Sequence, residues 1–119
     1  MNNICTNIDQ SKKLIELGID VNTADMYWWY SDKRFYIEAM DDGDFNEEGG
    51  HIPAWSLSAL LKLINSDYKL EKSMLDQSFI FTYAIHIEGV YRTREYDEPL
   101  DAAFEMISYL LKLNKNEII

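Results

Sequence analysis

Apolar positions recur along this chain in two rhythms, one helical and one of strands. Between Asn7 and Gly18, Ile8, Leu14, Ile15 and Leu17 make an apolar side, and Lys12, Lys13 and Glu16 stay polar. Gly18 suits the left-handed position that closes many helices, and Ile19 can fold back onto the last turn. Leu57, Leu60, Leu61 and Ile64 fall at i, i+3, i+4 and i+7 and predict a second helix. Ser56 is its N-cap, Trp55 and Leu60 are spaced as a hydrophobic staple, and Asn65, Ser66 and Asp67 end it. Leu100, Ala103, Phe104, Ile107, Leu110 and Leu111 form a third stripe, in a helix that opens at Pro99. Asp101 near its start and Lys112 and Lys115 near its end suit the helix dipole.

The strand rhythm has a period of two. Met26 to Tyr30 and Phe35 to Met40 read as strands joined by Ser31, Asp32 and Lys33. Tyr68 to Met74 alternates weakly, and Leu75 to Ser78 is a connection. Phe79 to Ile87 alternates strongly, and Val90 to Tyr96 returns after a Glu88-Gly89 turn. Asp41 to His51 is a loop, followed by Pro53. The predicted order is α-β-β-α-β-β-β-α. It describes one α+β domain over residues 1–119, a small antiparallel sheet of about five strands with three helices packed mainly on one face.

Charge narrows the function classes. The chain of 119 residues carries 21 acids against 11 bases, a net −10. Nucleic-acid and anionic-lipid binding rely on Lys and Arg displacing counterions, so this balance argues against both. A basic protein partner or a cation is compatible with it. Cys5 is the one cysteine, which excludes an intramolecular disulfide and fits a reducing compartment. No basic segment leads into an apolar stretch at the start, and no apolar run is long enough to span a bilayer. The sequence therefore predicts a cytoplasmic protein.

Three blocks carry a family resemblance: SKKLIELGIDVNTADM, IPAWSLSALLKLI and PLDAAFEMISYLLKLN. Together they resemble an uncharacterised family of small proteins encoded by gut Bacteroidales and by their phages and integrated elements. The blocks cover roughly half the chain and keep the family's order. The resemblance implies a mobile-element setting and supplies no activity, cofactor or catalytic residue.

Two stretches could carry function. In the loop, Asp42, Asp44, Asn46 and Glu48 alternate like the first ligands of an EF-hand. Glu47, however, stands where that loop needs Gly, and Pro53 where it needs a bidentate Glu. His51 could add a nitrogen ligand, so Asp42, Asp44, Glu48 and His51 are the metal candidates, set against a solvated acidic loop. The second stretch is Tyr27, Trp28, Trp29 and Tyr30. Adjacent strand residues face opposite ways, so Trp28 and Trp29 cannot share one core face. Aromatic side chains of this kind anchor interfaces.

His86 and Glu88 share a strand face with Arg92 and Arg94 expected opposite, which reads as cross-strand charge pairing or as a His–carboxylate base. No nucleophile motif and no phosphate-binding glycine loop accompanies them. The reading that follows is a small acidic accessory protein that binds another protein, without cofactor or catalysis, through Trp28, Trp29, Tyr30, Asp42, Asp44, Glu47 and Glu48. A metal-dependent or acid–base enzyme centred on residues 41–51 is the alternative, and self-association through an open strand edge is a third.

Overall fold

The computed structural model describes residues 4–40, 45–75 and 80–117. Helix α1 (Ile8–Glu16) starts at a capping box, in which the Asn7 side chain accepts from the Gln10 N–H and the Gln10 side chain accepts from the Asn7 N–H. It ends in a Schellman motif. Gly18, at φ +95°, donates to the Ile15 carbonyl, and Ile19 donates to the Leu14 carbonyl. That fold-back delivers Ile19 and Leu14 together into the core.

A 3₁₀ turn (Val21–Thr23) leads into β1 (Met26–Ser31), which pairs antiparallel with β2 (Arg34–Ala39). The turn between them is Asp32-Lys33, both at positive φ (49° and 70°), the mirror-image turn whose twist matches a hairpin. β1 also pairs with β3 (Ile52–Ala54), a strand just after the expected Asp41 to His51 loop for which the sequence pattern predicts no element. Pro53 lacks an N–H and is tolerated because β3 lies at the sheet's edge.

After α2 (Leu57–Lys62), strands β4 (Lys69–Leu75), β5 (Ile80–Ile87) and β6 (Tyr91–Arg92) form a second sheet, and α3 (Pro99–Glu117) completes the chain. The expected single sheet of about five strands is thus two antiparallel sheets of three, ordered β2-β1-β3 and β4-β5-β6. The observed order is α-β-β-β-α-β-β-β-α. The extra strand β3 completes the first sheet, and among the described residues nothing pairs β1 or β2 with β4 or β5.

α3 lies on β5, α2 packs on α3, and α1 packs on β3. Trp55 sits at the meeting point and is fully buried, as is Leu60, its staple partner. The Trp55 indole donates to the Thr23 hydroxyl, and its backbone N–H donates to the Thr6 hydroxyl. Every polar atom of this central side chain is therefore paired, and truncating it to Ala would cost about 3–5 kcal/mol. Overall dimensions are 44 × 44 × 21 Å. The short axis is about the depth of one sheet and one helix layer.

Candidate functional site

The first sheet separates the two tryptophans as strand alternation requires. Met26, Trp28 and Tyr30 share a face with Phe35, Ile37 and Ala39, whereas Tyr27 and Trp29 share the other with Tyr36 and Glu38. Trp28 is half-buried and its indole N–H donates to the Thr6 carbonyl at 2.9 Å, tying the hairpin to the N-terminal segment. Trp29 stacks on Tyr36 across the strand pair, with ring centroids 4.7 Å apart. Arg34 extends this stack, its guanidinium over the Tyr36 ring and its Nε donating to the Tyr36 hydroxyl. The Trp29 indole nitrogen is buried without a hydrogen-bond partner. At the tip, Tyr30 and Phe35 form a direct cross-strand pair and are 58% and 45% exposed.

Of the acidic loop, Asp42 and Asp44 lie outside the described residues. Residues 45–51 fold onto Tyr27, which stacks on His51 (centroids 5.0 Å apart) and meets Phe45 edge-on. Asn46 organises the turn: its N–H donates to His51 Nδ1 at 2.9 Å, and its side-chain oxygen accepts from the Gly49 N–H. With Nδ1 accepting, a neutral His51 carries its proton on Nε2. Glu47 and Glu48 are exposed. Among the described residues no group of three His, Cys, Asp or Glu side chains could hold a metal ion.

The His86 constellation is rearranged. His86 pairs with Arg92, but Arg92 bonds Glu71 (3.2 Å) across β5, at the position of buried Ala84. Arg94 is not opposite His86, because Arg92 holds that position, and beyond it the pairing slips. Ile87 pairs with Tyr91 and Tyr83 with Tyr96, so four steps on β5 match five on the returning strand. One extra residue of this kind is a β-bulge, which re-aims side chains.

The bulge creates a cluster that the sequence reading missed. Tyr91 and Tyr96 are five residues apart and would face opposite ways in a regular strand. Here both hydroxyls donate to Glu105 on α3, at 2.5 and 2.6 Å, and the Arg94 N–H donates to the same carboxylate at 3.1 Å. Burial alone would raise the Glu105 pKa, but these three donors and the nearby Arg94 charge outweigh it and hold the carboxyl below its ordinary value. Burial and the bond to Glu105 push Tyr96 up to about 12, and Tyr91 is raised chiefly by its own bond to Glu105.

Tyr91 also stacks flat on Tyr109, with centroids 3.9 Å apart. These groups, with Ser108 and Lys112, line a cavity of about 240 Å³. Ser108 is 8% exposed and its hydroxyl has no hydrogen-bond partner, which costs about 1–3 kcal/mol. The one signal that could have found the cluster is the recurrence of Glu105, Ser108, Tyr109 and Lys112 at i, i+3, i+4 and i+7 on α3.

Compared with known proteins, the chain matches no family model, no curated protein and no solved structure.

Proposed function

We propose that this chain is a small acidic accessory protein that binds another protein without catalysis, and that the end of the β1–β2 hairpin is its docking element. The observation that carries the reading is the exposed Tyr30–Phe35 pair. Aromatic rings bring large contact area with few rotors to freeze, and these two are held on paired strands before any partner arrives. Trp29, Tyr36 and Arg34 stand on the hairpin's other face, so a partner that grips the tip meets aromatic surface on both sides.

Charge selects among partners. The net −10 and the exposed Glu47 and Glu48 favour a protein with a basic rim, and they disfavour direct contact with nucleic acid or anionic lipid. Among the described residues no helix is long and apolar enough to cross a membrane. A cytoplasmic location and a mobile-element setting belong to the same proposal. They rest on the single cysteine and on the resemblance of the three sequence blocks.

The test is a photo-crosslinking residue in place of Phe35, irradiated in cells. The expected product is an adduct with a second, basic protein. An adduct of two copies of this chain, or no adduct, contradicts the reading.

A further inference from the structure

The cavity between β6 and α3 contains more donors than the protein uses. Glu105 is engaged at both oxygens, with Oε1 accepting from the Tyr96 hydroxyl and the Arg94 N–H, and Oε2 from the Tyr91 hydroxyl. The Arg94 charge is felt by Glu105, but among the described residues neither the Arg94 nor the Lys112 side chain is hydrogen-bonded. Arg94 and Lys112 are exposed, and among the described residues neither forms a salt bridge. Ser108, one helical turn before Lys112, keeps a buried hydroxyl with no partner. Two cations and a hydroxyl thus line one cavity of about 240 Å³, beside the single carboxylate of Glu105.

We infer that this cavity binds a small phosphate monoester, with Arg94 and Lys112 meeting the two negative charges and Ser108 supplying a neutral hydrogen bond. An arginine fork can grip two oxygens of one phosphate, and a lysine adds a point charge. Glu105 keeps three protein donors of its own, so both cationic heads are left for the ligand, and a phosphate can engage both where a monocarboxylate engages one. The cavity is larger than a phosphate group, and the stacked Tyr91–Tyr109 pair walls the space left for the organic part of the ester. The chain's overall charge of −10 repels anions, so saturable uptake of one requires a local site of this kind.

The experiment is an amide-resonance NMR titration of the full chain at constant ionic strength, with phenyl phosphate, inorganic phosphate and benzoate in parallel. Phenyl phosphate is expected to give saturable shifts at Arg94, Ser108, Tyr109 and Lys112, with a dissociation constant of about 1 mM or below. Inorganic phosphate should bind more weakly, and benzoate weakest. R94Q and K112Q should each weaken phenyl phosphate about tenfold. Both side chains are exposed, and the dispersion of the same spectra reports that the variants stay folded. S108A removes an unpaired hydroxyl, so it should weaken binding severalfold while leaving thermal stability equal or higher. Absence of saturable shifts, shifts retained unchanged in R94Q and K112Q, or benzoate binding as tightly as phenyl phosphate would each overturn the proposal.

Discussion

Tyr30 and Phe35 face each other across the end of the β1–β2 hairpin, with ring centroids 5.0 Å apart, and both remain about half exposed. The pair lies beyond the Trp28–Thr6 contact that anchors the same sheet face. Large apolar side chains in such a position add little to folding, because they stay in water. Their contribution appears when another surface covers them.

The two tryptophans respond oppositely to the same change. Trp28→Phe removes the bond to the Thr6 carbonyl and leaves that acceptor unpaired, so it should cost about 1–2 kcal/mol in urea unfolding. Trp29→Phe keeps the stack on Tyr36 and deletes an indole N–H that has no partner, so stability should be unchanged or slightly raised. Equal losses in both variants would contradict this division of roles.

The hairpin turn can be improved. Asp32 and Lys33 both occupy positive φ, and a lysine there is strained where glycine is not. Replacing the pair by Asn-Gly should add about 1 kcal/mol and raise Tm by a few degrees without altering the hairpin register. A drop in Tm on calorimetry would show that the turn is held by something else.

Glu105 links stability to pH at both ends. Its carboxyl is lower in the folded chain than the ordinary 4.5, so its contribution is complete above that value and is lost as pH falls through the folded pKa. Tyr96 is raised from 10.0 to about 12, so its contribution is complete below pH 10 and is lost as pH climbs toward 12. Glu105→Ala should cost about 2 kcal/mol at neutral pH and flatten both limbs of the stability–pH curve. Limbs unchanged from wild type would assign the pH dependence to other groups.

Cys5 is buried, and its thiol is pushed up to about 11, by burial first and then by the Asp25 charge. The thiolate is the reactive form, so native protein should label slowly with a disulfide exchange reagent at pH 8, and unfolded protein rapidly. Rapid native labelling would mean that the segment pairing Cys5 with Ser56 opens readily.

Three helices, the β1–β2 hairpin and the opposition of Trp28 to Trp29 were legible because each rests on local periodicity, whereas the strand expected over Val90 to Tyr96 is reduced to Tyr91–Arg92 by the slip in pairing. What escaped depended on pairing. β3 is three residues long and contains Pro53, so it carries no strand signal of its own. Strand patterns do not say which strands pair, and the division into two sheets was therefore hidden. The Tyr91–Tyr96–Glu105 cluster escaped because alternation sends Tyr91 and Tyr96 to opposite faces, and the one-residue slip that reunites them leaves no local mark. His51 was visible as a candidate ligand, but its bond from Asn46 depends on how the loop closes.

Affinity capture with three purified forms of the chain tests the central claim most directly: wild type, a Tyr30→Ser, Phe35→Ser variant, and a Met74→Ser, Phe81→Ser variant of an exposed cross-strand pair on β4–β5. All three should be folded and monomeric by circular dichroism and light scattering. The prediction is one basic partner retained by the wild type and by the β4–β5 variant and lost from the hairpin variant. The same partner captured by all three forms would contradict docking through the hairpin.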